Sequence, residues 1–504
     1  MNTINRTPLL IAGTALIFTG MFYKTGIALN LVLFNAMIIL THLYLGHFKS
    51  RGIVFRIVLT GTILTAFAVL LKHTKMSVIM NMVSLFLLSG ILCYPEVKSL
   101  VNSVKLSFNN IWSSQLTFFK SINRPENRIF RISVLFRWIR IFILPLLIII
   151  IFILLYKASN PLFNKHFSFI FNSIREKIAA ILSFSMFFTF VLGLIISTFL
   201  LINIPHQRTR DLDKSSQDKL QRTRRNTGRF KINALRTELK AGIFLLLILN
   251  LLILAENIID IYWVWFNFQW TGEYLKQFVH EGTYLLILSI LISIGITLYF
   301  FRGNLNFYKK NNLIKLLSYI WLVQNVILAI SVGFRNYRYI EVFALAFKRI
   351  AVFFFLALVL FGIISVIYKI TRRLTSTFLF KVNSVSFYAA LVLFSLFNWD
   401  VIISRYNFDH YQESFVHLDF MSKLSDYALP YTIKTLDELH TIDGIQKKLF
   451  HFEEKFMLPF DYYTNMQTRK SEFIKKWESK KMLEWNLAGQ MTYNKLIAEE
   501  NDKK

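Results

Sequence analysis

Glu256 and Asp260 stand one helical turn apart, with Asn257 beside them, inside a long apolar run over residues 241–266. A spacing of four puts both carboxylates on one helix face. Because a carboxylate in hydrocarbon costs a few kcal/mol, such a pair faces protein interior and either holds a proton or cation or pairs with a base. Two chemistries stay open: a proton or cation site, or an ion pair with Arg or Lys of a neighbouring helix. Asp260 lies about 9 Å from the outer end of the run by helical rise, which favours the ion pair.

Three further stretches carry polar groups beside apolar runs. Phe278-Val279-His280-Glu281-Gly282 opens one run; adjacent helical positions diverge by about 100° and no HExxH follows, so zinc is not expected and Glu281 suits the positive helix start. Arg335, Arg338 and Glu341, with Lys348 and Arg349 after them, read as an interfacial anchor belt or as holders of an acidic partner such as Glu281, Asp400 or a lipid phosphate. Glu341 and Lys348, two turns apart, would share a helical face. Asp400, Arg405 and Asn407 follow the last apolar run, with His410 and His417 beyond them. Two histidines seven apart with no third ligand make no metal site. There is no nucleophile elbow and no glycine-rich phosphate loop. No catalytic residue, metal or cofactor is assigned.

The elements that must position these groups are membrane helices. The chain of 504 residues is 55% hydrophobic with a mean hydropathy of +0.47, which marks a polytopic membrane protein. A formal charge of +29 then belongs to cytoplasmic loops, not to nucleic-acid binding, for which no fold or interleaved aromatics speak. The single cysteine, Cys93, excludes an internal disulfide. At roughly 17 to 25 residues per span, about eleven apolar runs qualify. The first, residues 8–23, lacks a basic flank and a cleavage pattern and is expected to be retained.

The predicted organisation is an all-α integral membrane protein in four parts. Residues 1–93 form N-terminal transmembrane helices, and 94–133 a cytoplasmic interfacial segment. Residues 134–397 are the main bundle, with a basic loop over 204–240, and 398–504 a soluble helical domain. Within the second part Val101, Val104, Phe108, Ile111, Trp112 and Leu116 recur at helical spacing opposite Ser103, Lys105, Asn109 and Asn110, the pattern of an amphipathic helix lying in the membrane surface. Counted loop by loop, Lys and Arg number about 31 on one side and 12 on the other. That puts the N-terminus in the cytoplasm and residues 398–504 outside. The basic loops are expected to meet anionic lipid head groups. In the tail, Asp419 is expected to cap a helix through Leu424, and Pro430 to open another ending near His440. Further helices are expected over 444–456, 467–481 and 484–498, with Phe450, Phe456, Phe473, Trp477 and Trp485 as core.

Several of these strings, Ile259-Asp260-Ile261-Tyr262-Trp263-Val264-Trp265, Phe278 to Gly282, Lys348-Arg349-Ile350, Asn398-Trp399-Asp400 with Arg405-Tyr406-Asn407, and Leu418-Asp419, occur in one order. Together they resemble a family of bacterial multipass membrane proteins catalogued only as a domain of unknown function. The resemblance covers roughly residues 135–490 and implies architecture without an activity. One departure is Ala344-Leu345-Ala346, where the wider family has Gly-Leu-Thr. The expectation is a non-enzymatic protein of the bacterial inner membrane with an envelope, sensing or assembly role. Alternatives are an ion- or proton-coupled transporter using Glu256 and Asp260, and a membrane enzyme acting on a lipid-linked substrate. Asp400 or Arg405 is expected to reach the His280-Glu281 or Arg335-to-Glu341 region.

Overall fold

A computed structural model describes residues 7–48, 52–94, 96–122, 149, 152–153, 156–157, 184–222, 230–267, 272–450 and 457–501; the side chains of 7, 122, 184, 230–234, 272–281, 283, 500 and 501 are not described. Every regular element among these is helical, with one isolated bridge pair, Lys219 and Leu374. The first half comprises α1 (Thr7–Phe22), α2 (Leu29–Tyr44), α3 (Ile53–Leu71), α4 (Lys75–Cys93), α5 (Leu100–Ile122), α6 (Phe184–Leu201) and the short α7 (Gln207–Ser215). The second comprises α8 (Phe230–Asp260), prolonged by a π-helical turn Ile261–Phe266, then α9 (Gly272–Phe300), α10 (Asn312–Phe343), α11 (Phe347–Arg372) and α12 (Ser376–Ser395).

Among the described residues six helices are long and apolar enough to cross a membrane: α3, α4, α8 with its π turn, α10, α11 and α12. Four shorter apolar stretches, Pro8–Phe22, Leu29–Tyr44, Ser185–Leu201 and Tyr284–Phe300, accompany them. The expected count of eleven spans is not confirmed among the described residues, and the run at 134–156 lies outside them apart from a few positions.

Three apolar clusters divide the bundle. One joins α8 to α11 around Leu246, Ile290, Leu322 and Ile363. The other half has two clusters, on α1, α2 and α6 and on α3, α4 and α5. Helix α12 stitches the halves together. Its Tyr388 is buried with the hydroxyl 2.8 Å from Ser84 Oγ on α4, and Gly61 on α3 leaves the room that ring needs.

Helix α5 carries the expected apolar and polar stripes, and the polar one packs against protein. Ser103, Ser107, Asn110 and Ser114 are fully buried, while Phe108, Trp112 and Leu116 are exposed. The cause is close packing of small residues: a Cβ at Gly90 would collide with Ser107, and Ser107 Oγ donates to Phe86 O at 2.6 Å. Asn110 donates to Ser89 Oγ and to the carbonyls of Phe199 and Ile202. In a bilayer, small and polar side chains serve helix contacts and apolar ones face lipid, so the polar stripe goes inward.

The basic loop is fastened by its acids where it is described. Asp213 is buried and accepts from Lys98 N–H and Asn102 Nδ2, and Asp218 pairs with Lys381 at 2.7 Å.

The tail has α13 (Trp399–Asp409), single turns Leu418–Met421 and Leu429–Thr432, α14 (Leu436–Leu449), α15 (Pro459–Glu478) and α16 (Leu487–Asn501). Two expected caps change. His417, not Asp419, caps the Leu418 turn, and Asp419 pairs with Lys423. Pro430 opens only one turn, because Thr435 and Glu438 form a capping box that starts α14 afresh. Phe473 and Trp477 enter the core, Trp485 packs at its edge, Phe456 lies outside the described residues, and the fully buried Tyr462 was not foreseen. Tyr462 meets the burial cost of its hydroxyl by donating to Thr432 O at 2.8 Å.

Candidate functional site: a buried ion pair and the clamp above it

Helices α8 and α10 run parallel and share a polar seam. Asn250 donates to Leu317 O at 3.1 Å, Gln324 donates to Asn250 Oδ1 at 2.7 Å, and Asn257 donates to Gln324 O at 3.1 Å. Positions 250, 257 and 260 fall on one stripe of α8 because each lies close to a whole number of turns from the next. At the top of the seam Asp260, 2% exposed, binds Arg335 through one carboxylate oxygen and accepts from Ser331 Oγ at 2.7 Å through the other. The π turn follows Asp260 at once, and within it Trp265 donates from Nε1 to the same Ser331 at 3.3 Å. Glu256 approaches the same guanidinium at 3.9 Å but has a half-exposed side chain. One cation thus serves two acids.

Gly282 of α9 closes the site from a third side, since a Cβ there would meet Arg335 Nη1 at 3.2 Å. The glycine makes room for the guanidinium. His280 and Glu281 lie on α9, but their side chains are outside the described residues. Arg335 falls within α10, not in a loop beyond it, because α10 continues to Phe343.

Above the pair, α10 breaks at Ala344 and α11 begins at Phe347. Irregular backbone at this depth has to be satisfied by protein. Asn407 does so in both directions: its Oδ1 accepts from Leu345 N–H at 2.7 Å and its Nδ2 donates to Leu345 O at 3.0 Å. Arg349 donates to the carbonyls of Phe343 and Ala344 and stacks over Tyr339 at 4.5 Å. Asn336 donates to Arg349 O at 2.9 Å, and Phe415 N–H donates to Val342 O at 2.7 Å. The break also corrects the expected Glu341 and Lys348 pairing. No continuous helix joins them, and Glu341 pairs with Arg338 at 3.0 Å.

Asp400 and Arg405 do not make the contact expected of them with the Arg335-to-Glu341 region. Burial raises the Asp400 carboxyl, partly offset by the neighbouring Ser425, and Arg405 faces Asp409 on its own helix at 3.7 Å. Asn407, on the same helix, makes the junction instead.

Ala344 is fully buried at φ +61°, ψ −165°, a region close to glycine-only that costs about 1–3 kcal/mol. Ala346 is the N-cap of α11 with no side-chain bond. Glycine at 344 and threonine at 346 would answer these two needs, which gives Gly-Leu-Thr a physical rationale. Ala344→Gly is expected to stabilise by about 1 kcal/mol after glycine's own entropy cost, and Ala346→Thr by about 1 kcal/mol. Melting in detergent checks both: no upward shift in either would contradict this reading of the break.

A second clasp joins the tail to the first half. His73, at φ +50° between α3 and α4, bonds Ile27 O through Nε2 at 2.5 Å and Tyr427 Oη through Nδ1 at 2.6 Å. The carbonyl can only accept, so Nε2 carries the proton and neutral Nδ1 accepts from tyrosine. Burial, opposed by the Ile27 bond and helped by Lys480, holds the His73 pKa below 6.5. The neutral form therefore stabilises the clasp at pH above 6.5, and that contribution fades as pH falls below 6.5 through the folded value. Hydrogen-exchange protection across 481–495, corrected for the intrinsic rate at each pH, is expected to fall between pH 7 and 5 in the wild type but not in His73→Gln; equal falls in both would remove His73 as the cause.

Among the described residues no three His, Cys, Asp or Glu side chains gather at metal-binding distance. Residues 9–435 match the model of a family described as a domain of unknown function (DUF4153). The match runs from the start of α1 to Thr435, the cap of α14. No curated protein and no solved structure matches the chain.

Proposed function

The chain belongs to the DUF4153 family, and we propose that it is a non-enzymatic multipass protein of the bacterial inner membrane with an envelope-sensing or assembly role exerted through its tail. The carrying observation is the double fastening: Asn407 and Phe415 hold the α10–α11 break, and Tyr427 holds His73. A tail bonded to loops of both halves transmits any change in their relation. The loops it touches, near residues 27, 73 and 345, lie at one end of the helices. The basic stretches around 208–222, 302–315 and 369–381 lie at the other, which by the positive-inside rule supports a cytoplasmic basic face and an extracytoplasmic tail. Anionic head groups are the proposed partners of that basic face.

A proton- or cation-coupled transporter is the second reading, favoured by the two carboxylates sharing Arg335. The test compares a tail-loosened Asn407→Leu with a Glu256→Gln, Asp260→Asn double variant, each at wild-type abundance in the membrane. Loss of envelope-stress tolerance in Asn407→Leu, with solute flux unchanged in the double variant, is the expected result. Full complementation by Asn407→Leu together with lost flux in the double variant would overturn the proposal in favour of transport.

A further inference from the structure

Where the tail meets the membrane end of α3 there is a cleft of about 250 Å³. Its walls come from the end of α3, the α12–α13 junction, the Leu429–Thr432 turn and α16. Two features of that lining are at odds with a cleft that holds only water. Leu71, Phe397 and Met491 are 42%, 41% and 54% exposed, so helices from the bundle and from the tail all turn large apolar side chains toward one opening. Lys72 and Lys495 also line it, and no acidic residue does. Neither lysine has a carboxylate partner among the described residues. Lys495 is fixed at the mouth: its Nζ donates to Tyr431 Oη at 2.8 Å and lies 4.6 Å from that ring's centroid. An ammonium has three donors, so others are left for an anion.

Two cations, a tyrosine and an apolar wall at the end of a membrane helix complement one chemical class, an amphiphile with an anionic head and a hydrocarbon chain. We propose that this cleft is a binding site for a single anionic phospholipid, its phosphate between Lys72 and Lys495 and an acyl chain along Leu71, Phe397 and Met491. The position supports a lipid over a free phosphate, because a soluble anion leaves the apolar wall uncovered. Since the lipid touches α3 and α16 together, it would brace the same junction that His73 and Tyr427 clasp.

Native mass spectrometry of the full chain, delipidated in detergent and titrated with phosphatidylglycerol or phosphatidylcholine, tests this. The expected result is one retained phosphatidylglycerol, preferred on the order of tenfold over phosphatidylcholine, with the preference lost in Lys72→Gln, Lys495→Gln. Lys475→Gln, which does not line the cleft, should retain it. Met491→Gln should weaken phosphatidylglycerol without touching the lysines, a second route to the same answer if the double variant melts early. Equal retention of the two lipids, an unchanged preference in a folded double variant, or displacement by glycerol 3-phosphate at concentrations comparable to the lipid would each overturn the proposal.

Discussion

Asp260→Ala is expected to destabilise the bundle by about 3–5 kcal/mol, the cost of breaking a buried ion pair by removing one partner. Arg335 is 4% exposed, and a second acid, Glu256, is 3.9 Å away with a half-exposed side chain, so Glu256 does not replace the lost carboxylate without dragging its own head inward. Ser331 and Trp265 lose their anchor in the same step, because the hydroxyl that Trp265 reaches is the one that donates to Asp260. Asp260→Asn should cost less, since an amide oxygen still accepts. Removing both partners, as Asp260→Leu with Arg335→Leu, should recover much of the loss, because apolar replacement of a whole buried pair is often neutral. The fraction of monodisperse protein surviving a temperature series in detergent reports the order. An Asp260→Ala protein that melts with the wild type would mean the pair contributes nothing.

Asn407→Leu should cost about 2–5 kcal/mol and act at a distance from the helices. It removes the one side chain among the described residues that bonds both Leu345 N–H and Leu345 O, and each buried backbone group left unpaired costs roughly 1–3 kcal/mol. Asn407→Asp separates the two bonds: the carboxylate still accepts from the N–H but has nothing to donate to the carbonyl, so an intermediate loss is expected. Limited proteolysis near 343–347 provides the readout. A leucine variant as protease-resistant as the wild type would show that Arg349 and Phe415 hold the break alone.

Much of this site was legible in the sequence, though not its connections. Two carboxylates in an apolar run called for an ion site or for a base on a neighbouring helix, but Arg335 was matched to Glu281, Asp400 or a lipid phosphate and not to Asp260. It looked like a loop residue because the hydropathy falls after Phe334, whereas α10 continues for nine more residues with its polar face turned inward to Asp260 and Arg349. Hydropathy reads the lipid-facing side well and a buried polar seam poorly. In α5 the periodicity marked the two stripes, and the packing of Gly90 against the serine stripe decides which of them meets protein. Asn407 was named for its place beside Asp400, and nothing in spacing distinguishes an amide that clamps a backbone from one that faces water. His73 gave no signal, since a lone histidine in a short loop acquires meaning only when Tyr427, 354 residues later, arrives against it.

That separation bears on how the protein is made. At about 5–20 residues per second, roughly 20–70 s pass between synthesis of His73 and of its tyrosine. For that interval His73 sits in the nascent membrane half with its tyrosine still unmade, and for most of it Ser84 awaits Tyr388. The N-terminal half is thus inserted before α12 and the tail can close on it, so a ribosome that stalls ahead of Tyr427 leaves a chain with helices in place and the tail clasp undone, a ready substrate for membrane proteolysis.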